Sequence, residues 1–221
     1  VKVLKNLSVG VNASYFWGDI NRTRVVYYPS VSGAYNYNHQ SVASVSSYKL
    51  DFGAQYTLDI DKKHSVTIGA IYSPKLQLGN DYSVTTQMVS NSTGTAVSTT
   101  TLKPDATFEV PNTFGVGFTY NYDKRLTVGL DYSLQQWSKT KFDVNTPDEA
   151  VREDFKETYT YCDRHKISVG AEYIPNLIGR SYLSHIKYRL GAYYTTPYYK
   201  IGGKEATREY GVTAGFGLPV P

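Results

Sequence analysis

Four histidines, one cysteine and many serines are the side chains of this chain that could support catalysis or bind a metal. The histidines are His39, His64, His165 and His185, and no two of them have a metal-ligand spacing such as H-x-x-x-H. No G-x-S-x-G motif is present. Cys162 is the only cysteine of the sequence and is predicted to be an unpaired thiol in a loop. The sequence therefore predicts no catalytic residue, no metal site and no cofactor, and we expect the protein not to be an enzyme.

Six charged residues lie in segments that alternate between apolar and polar residues. A charge on the lipid face of a membrane strand costs about 2–4 kcal/mol at mid-bilayer, so these side chains would have to face a lumen. Their mixed signs favour ion pairs that brace a barrel over contact with a substrate. They are Lys49, Asp51, Asp131, Glu172, Lys187 and Arg189.

Two further groups of residues lie in predicted loops. The cluster Asp163–Lys166 could meet lipopolysaccharide phosphates or an anionic substrate, or it could be a solvated loop base with local ion pairs. Five loop tyrosines could capture an apolar ligand or could be rim aromatics. They are Tyr27, Tyr28, Tyr35, Tyr37 and Tyr82. No substrate-binding residue is assigned.

The elements that carry these residues are predicted from alternation with a period of two, the pattern of β-strands. No comparable stretch has helical spacing. In 126–137, for example, Leu126, Val128, Leu130 and Tyr132 share one face, and Asp131 lies on the other. The eight predicted strands are Leu7–Trp17, Tyr48–Asp59, Ser65–Ser73, Asn112–Tyr122, Leu126–Trp137, Ile167–Tyr173, Ile186–Thr195 and Tyr210–Leu218.

A short repeat runs through six of these strands: a glycine on the polar face, followed three residues later by a tyrosine on the apolar face. Glycine within a strand favours curvature or close packing of inner side chains. A tyrosine at the end of an apolar stripe suits a membrane interface. The six tyrosines are Tyr56, Tyr72, Tyr120, Tyr132, Tyr173 and Tyr194.

The predicted connections alternate between short ones, such as 60–63 and 123–125, and long ones at 19–47, 74–111, 138–166 and 196–209. Outer-membrane barrels have short periplasmic turns and long outer loops. The predicted fold is therefore all-β, an antiparallel transmembrane β-barrel whose apolar stripe faces outward and whose Asp131 faces inward. A soluble sandwich or barrel, with the apolar face inside, is the alternative.

Composition excludes several other classes. The 221 residues include 22 Tyr and have a formal net charge of +4, too small and too scattered to indicate nucleic-acid binding. No window holds 18 consecutive apolar residues, so no transmembrane helix is predicted. Val1 is not preceded by Met, and no signal peptide is recognisable near it.

Several strand sequences resemble a known family. The segment Val110–Gly117 with its following strands, the runs Ile167–Pro175 and Tyr188–Tyr194, and the terminal Tyr210–Pro219 resemble the outer-membrane long-chain fatty acid transporters (FadL/TodX type, Bacteroidetes-like members). The resemblance covers about residues 108–221. It implies a 14-stranded barrel with an N-terminal hatch that passes hydrophobic molecules across the outer membrane.

The chain departs from that family at both ends. It lacks the hatch segment and the Asn-Pro-Ala motif, and it stops at Leu218-Pro219-Val220-Pro221 without a C-terminal aromatic strand. We therefore expect residues 1–221 to form a single β-barrel domain that is part of a longer chain.

The predicted function is passive outer-membrane transport of hydrophobic compounds, with long-chain fatty acids as the expected substrates. The expected partners are outer-membrane lipid, lipopolysaccharide and a hydrophobic small molecule. One alternative is a small structural or adhesin-type barrel with ligand-binding loops and no transport. Another is an enzyme barrel such as a lipase or acyltransferase, for which the sequence offers no catalytic set.

Overall fold

A computed structural model describes residues 6–28, 33–103, 105–145, 159–176 and 182–218. Fifteen strands lie within them, with two single turns of 3-10 helix at Trp137–Lys139 and Tyr182–His185. None of the described helices is long and apolar enough to cross a membrane. The strands are β1 Leu7–Val26, β2 Tyr35–Asp59, β3 His64–Ser73, β4 Leu76–Ser90, β5 Ala96–Leu102, β6 Asp105–Val110, β7 Thr113–Tyr122, β8 Leu126–Gln135, β9 Phe142–Asn145, β10 Tyr159–Tyr161, β11 Arg164–Tyr173, β12 Lys187–Thr195, β13 Tyr199–Ile201, β14 Lys204–Glu205 and β15 Glu209–Gly217.

Twelve strands form one antiparallel sheet in the order β15-β12-β11-β8-β7-β3-β2-β4-β6-β9, in which β1 also pairs with β2 and β5 with β4. The other three form a small sheet, β10-β13-β14. Strand β2 has 25 residues and lies against β1 along one edge. Its other edge pairs with β3 in its second half and with β4 in its first half.

All eight predicted strands are present, as β1, β2, β3, β7, β8, β11, β12 and β15. Five of them agree with the prediction within two residues at each end, whereas β11 begins three residues earlier, β1 ends nine residues later and β2 begins thirteen residues earlier than predicted. The all-β antiparallel prediction is confirmed as well. Among the described residues β1 pairs only with β2 and β15 only with β12, so the sheet is not closed into a barrel. Val1 and Pro219–Pro221, on which the predicted departures at the ends rest, lie outside the described residues.

Tight turns join the strands at one end of the sheet, which we call the turn end. Between β2 and β3 the Asp61 carboxylate accepts hydrogen bonds from the Lys63 and His64 backbone N–H groups, at 2.7 and 2.8 Å. These two bonds hold the pKa of Asp61 below its usual range. Between β7 and β8 the two turn residues Asp123 and Lys124 both have positive φ angles, which is the geometry of a type I′ hairpin.

The prediction of long loops at the opposite end, the loop end, is wrong for two of the four connections. Strand β1 continues to Val26 and β2 begins at Tyr35, so most of 19–47 is strand. Strands β4, β5 and β6 occupy most of 74–111. These segments are rich in Ser, Thr and Asn, which suggested loops. Their side chains nevertheless alternate, and each strand is paired along its length.

Strands β4, β5, β6 and β9 form the part of the sheet that we call the added sheet. Glu109 on β6 joins three segments at its base. Its carboxylate accepts a hydrogen bond from the Lys141 backbone N–H at 2.6 Å and forms an ion pair with the Lys75 Nζ at 3.1 Å. Burial acts to raise the pKa of Glu109, but the bonds from Lys141 and Lys75 outweigh it, so the pKa lies below its usual range.

We expect Glu109→Gln to lower the free energy of unfolding by about 1 kcal/mol near neutral pH, because it replaces a charge-assisted contact at a partly solvated site. The contribution of Glu109 is fully present above the ordinary glutamate pKa and is lost as pH falls through the lowered pKa of the folded state. Thermal unfolding at pH 7 and at about pH 3 measures this contribution. The difference in free energy of unfolding between wild type and variant should be smaller at the acidic pH. Asp105→Asn on the same strand is the control, and an equal loss there would contradict the assignment.

Candidate functional site

Glycine-rich rows cross one face of the sheet, which we call the glycine-rich face. The backbone register places Gly129, Gly170 and Gly191 side by side on β8, β11 and β12. Gly69 lies beside Gly117 in the same way. Around these glycines most side chains of the face are Thr, Ser, Asn, Gln or charged residues, and Ile71 and Tyr193 are the larger exceptions.

Two shallow depressions lie on the glycine-rich face, which is the face predicted to line a lumen. One, of about 480 Å³, is lined by Gly53, Gly69, Gly115, Gly117 and Asp131, among others. The other, of about 560 Å³, has Gly129, Gly170 and Gly191 in its lining. Because glycine has no side chain, these rows leave space along the glycine-rich face.

Larger side chains on the glycine-rich face pack against neighbouring glycines. A Cβ atom on Gly211 would come within 2.6 Å of the Tyr193 ring, and one on Gly117 within 2.5 Å of the Asp131 Oδ1. Among the described residues the Asp131 carboxylate has no ion-pair or hydrogen-bond partner. It therefore presents a negative charge at the edge of the first depression.

The opposite, apolar face is exposed over most of its width. Ile68, Phe118, Leu130 and Val169 lie in one row and are 43–56% exposed. All six tyrosines of the glycine–tyrosine repeat lie on this face. The arrangement of Leu130 and Tyr132 on this face and Asp131 on the other is the one that a membrane barrel requires.

Ion pairs join most of the charged residues predicted to face inward. Lys49 Nζ lies 2.7 Å from Asp51 Oδ1, which also accepts a hydrogen bond from Ser73 at 2.6 Å. Glu172 pairs with Arg189 at 2.6 Å and with Lys187 at 4.0 Å. These pairs link adjacent residues and strands, as bracing contacts would.

The polarity of the two faces is inverted in the half of the sheet that leads to the loop end. On β2 the glycine-rich side carries Ser47, Lys49 and Asp51 in the lower half, and Tyr37, Ala43 and Val45 in the upper half. The opposite side of β2 carries apolar residues, such as Leu50 and Phe52, in the lower half and polar residues, such as Asn38 and Gln40, in the upper half. The change lies beside Tyr15, Trp17 and Tyr48, whose rings contact one another at centroid distances of 4.6 and 5.5 Å. Tyrosine and tryptophan are typical of a membrane–water interface.

The inversion creates an apolar surface above the glycine-rich face, which we call the mouth surface. Ile20, Ala43 and Tyr82 are aligned across β1, β2 and β4. The Tyr82 and Phe108 rings meet edge to face at 5.7 Å. Ala43 and Val84 are buried, whereas Ile20 is 65% exposed. The mouth surface comprises Ile20, Ala43, Val45, Tyr82, Val84 and Phe108.

The predicted loop tyrosines divide in the structure. Tyr35, Tyr37 and Tyr82 lie on the side of the mouth surface, and Tyr27 and Tyr28 follow the end of β1. The other members of the mouth surface are not recognisable from the sequence, because both 19–47 and 74–111 are predicted as loops. Continuing the period-two pattern through these segments would have shown the inversion.

The histidines and the cysteine are separate from one another. His39 contacts Thr86 at 3.3 Å, His64 contacts the Tyr120 hydroxyl at 2.6 Å, and His165 contacts the Tyr132 hydroxyl at 2.8 Å. His185 lies in the turn beside Ser184. Burial raises the pKa of the Cys162 thiol, which donates to the Pro197 carbonyl oxygen at 3.5 Å. The described residues include no group of three or more side chains that could hold a metal ion.

The cluster 163–166 is engaged in local contacts. Asp163 accepts hydrogen bonds from the backbone and hydroxyl of Ser138, at 3.0 and 2.6 Å. Arg164 lies 3.8 Å from Glu209, and Lys166 lies over the Tyr193 ring. These contacts favour the interpretation as a loop base with local pairs.

Comparison with known proteins identifies the family. The family model described as BamG matches residues 1–221. The chain belongs to the BamG family. No curated protein sequence matches this BamG-family chain.

A solved structure shares the fold of this BamG-family chain. The "CymD monoaromatic hydrocarbon channel" aligns with a TM-score of 0.57 and 16% sequence identity, over 100% of this chain and 62% of the channel. The chain thus spans less than two thirds of the length of the protein it matches. Together, the BamG family and this fold indicate an outer-membrane β-barrel protein. The narrower resemblance to the fatty acid transporters stays a prediction.

Proposed function

We propose that the full-length protein is a passive outer-membrane channel for hydrophobic compounds, with long-chain fatty acids as its substrates. The observation that carries the proposal is the likeness of the whole chain to a channel named for monoaromatic hydrocarbons. The glycine rows support it, since they leave depressions of about 480 and 560 Å³ on the inner wall. The transport step needs no cofactor and no covalent chemistry.

Lipid contact follows from the same proposal. The exposed apolar face would contact the acyl chains, and the Tyr15, Trp17 and Tyr48 rings would lie at the level of the lipopolysaccharide head groups. The turn end then faces the periplasm and the added sheet stands outside the cell.

We expect cells that express the full-length protein to take up labelled hexadecanoate several-fold faster than cells with an empty vector. The host should lack its own route for hydrophobic compounds. A labelled xylene tests the wider substrate class, and a labelled disaccharide serves as the polar control. Equal uptake of both hydrophobic probes with and without the protein would exclude the channel.

A second candidate is a structural or adhesin-type barrel that binds another macromolecule and transports nothing. The added sheet of β4, β5, β6 and β9 favours it, because it extends well beyond the strands of a membrane span. No uptake of any probe, together with a partner that copurifies in stoichiometric amount, would support this candidate.

A further inference from the structure

We infer that the outward side of the sheet, above the aromatic rings, binds the saccharide part of lipopolysaccharide in the outer leaflet. This side faces away from the mouth surface and carries mostly amide and hydroxyl groups. The inference goes beyond transport. It rests on the orientation proposed above, with the added sheet outside the cell, and not on the channel.

Three rows of side chains, aligned by the backbone register, form this outward side. Neighbouring strands lie about 4.8 Å apart and alternate residues about 6.8 Å apart, so the rows cover about 14 by 14 Å. A chain of several sugar rings would cover such an area. The outer polar surface, as we call it, comprises Asn21, Val42 and Ser83 in the first row, Thr23, Gln40, Thr85 and Thr101 in the second, and Val25, Asn38, Gln87 and Thr99 in the third.

The outer polar surface is continuous with the face that would contact lipid. On the same side of β1 and β2, the Tyr15, Trp17 and Tyr48 rings lie below it, and Leu50 and Phe52 lie below the rings. Aromatic rings of this kind are typical of the level of the head groups. In the outer leaflet, the saccharides of lipopolysaccharide extend outward from these head groups. The molecule beside the outer polar surface is therefore the one whose acyl chains cover the apolar face below.

The residue types of the outer polar surface suit a saccharide better than open water. About a quarter of the residues of a soluble domain are charged, whereas none of the residues in the three rows is charged. The mouth side of the same strands, by contrast, carries Arg22 and Arg24. Hydroxyl and amide groups both donate and accept hydrogen bonds, as the hydroxyl groups of a sugar do.

Several of these side chains are ordered by contacts with one another. The Thr85 and Thr101 hydroxyl groups lie 3.2 Å apart, and the Asn38 amide donates to the Gln87 Oε1 at 3.2 Å. Gln40, in the same row as Thr85, is exposed. Binding to groups that are already ordered costs less conformational entropy than binding to mobile side chains.

Two acidic residues lie one row below the outer polar surface, at the level of the lipopolysaccharide phosphates. Asp19 and Asp81 are aligned on either side of Ser44, whose hydroxyl donates to Asp19 Oδ1 at 2.6 Å. Mg²⁺ is commonly held between carboxylates and phosphates. With Mg²⁺ present, these carboxylates tolerate the phosphates, and the saccharide of the same molecule can lie over the rows above.

The experiment is native mass spectrometry of the full-length protein in detergent, titrated with lipopolysaccharide in the presence of Mg²⁺. Rough lipopolysaccharide, which carries a core oligosaccharide, is compared with deep-rough lipopolysaccharide, which carries almost none. We expect the rough form to bind about tenfold more tightly, because a few added hydrogen bonds to sugars account for such a ratio. Equal affinities of the wild-type protein for the two forms would overturn the inference.

Two double variants locate the binding site on one side of the sheet. Gln40→Ala combined with Thr85→Ala should remove most of the preference for the rough form and leave the affinity for the deep-rough form unchanged. The matched control is Ser41→Ala combined with Thr86→Ala, one residue along and on the mouth side of the same strands. It should keep the preference, and equal effects of the two double variants would contradict the site. The wild-type comparison remains decisive if a variant does not fold.

Further measurements separate this inference from the other proposals. A soluble capsular polysaccharide should not compete with the rough form, and competition would overturn the assignment to lipopolysaccharide. An epitope tag at Gly94, between β4 and β5, should bind antibody on intact cells. Absence of binding would overturn the orientation and this inference with it. A preference for the rough form without uptake of hydrophobic probes contradicts the channel alone, and uptake with equal affinities contradicts this inference alone.

Discussion

Val169→Arg is expected to destabilise the protein by about 2–4 kcal/mol in a lipid bilayer, the cost of an arginine on the lipid face near mid-depth. Val169 lies in the central apolar row, beside Leu130 on β8, and is 47% exposed. Its guanidinium would have to enter hydrocarbon or distort the strand to reach water. Unfolding by denaturant from liposomes measures the loss, and the yield of folded protein in the membrane should fall with it.

The matched control is Ser168→Arg, the same substitution one residue earlier on β11. Ser168 lies on the glycine-rich face opposite Asp131, whose carboxylate has no partner among the described residues. The new guanidinium can reach that carboxylate, so we expect little loss of stability or a small gain. If Ser168→Arg were the damaging variant and Val169→Arg the tolerated one, the glycine-rich face would be the outer one and the membrane orientation would be wrong.

Gly79→Ala is expected to cost about 2 kcal/mol, although it adds a single methyl group. A Cβ atom on Gly79 would lie 2.8 Å from the Ser46 carbonyl oxygen, which belongs to the backbone of the paired strand. The oxygen cannot move without shifting β2, so the pairing of β2 with β4 should loosen where the added sheet begins. Hydrogen exchange measures this, and the amides of β4 should exchange faster while those of β7 and β8 do not change.

Gly69→Ala provides the comparison. A Cβ atom there meets only the Ala54 carbonyl oxygen at 3.8 Å, an ordinary contact distance. The same chemical change at a second strand glycine should therefore alter stability by less than about 0.5 kcal/mol. Equal effects of the two substitutions would mean that close approach of the strands is not what requires glycine at position 79.

The strands of the membrane part could be predicted from the sequence because their two faces differ strongly in polarity. On β8 the apolar Leu126, Val128 and Leu130 alternate with Thr127 and Gly129. Only one register places all the apolar side chains toward lipid and the others toward the lumen. The added sheet could not be predicted in the same way. Its residues are mostly Ser, Thr and Asn, and those types are common in loops as well as in strands that face water on one side.

The candidate site was predicted in part for the same reason. Tyr37 and Tyr82 were recognised as aromatic residues that could meet a ligand, but only the pairing of β2 with β4 places them on one side. The placement of Lys49, Asp51, Glu172 and Arg189 on one face could be predicted from the alternation, and their mixed signs favoured ion pairs, but only the structure shows which of them pair.

The exchange of polarity along β2 also removes an ambiguity in strand alignment. A strand with a uniform period of two looks the same to its neighbour after a slip of two residues, because every side chain keeps its face. On β2 that translational symmetry is broken at Ser46–Tyr48, where the apolar side changes over. A slip of two residues against β1 would move the changeover at Ser46–Tyr48 away from Tyr15–Trp17, the residues that lie opposite it in the register. The inversion therefore favours a single register of the β1–β2 hairpin. It does so in addition to determining which face of the sheet each side chain occupies.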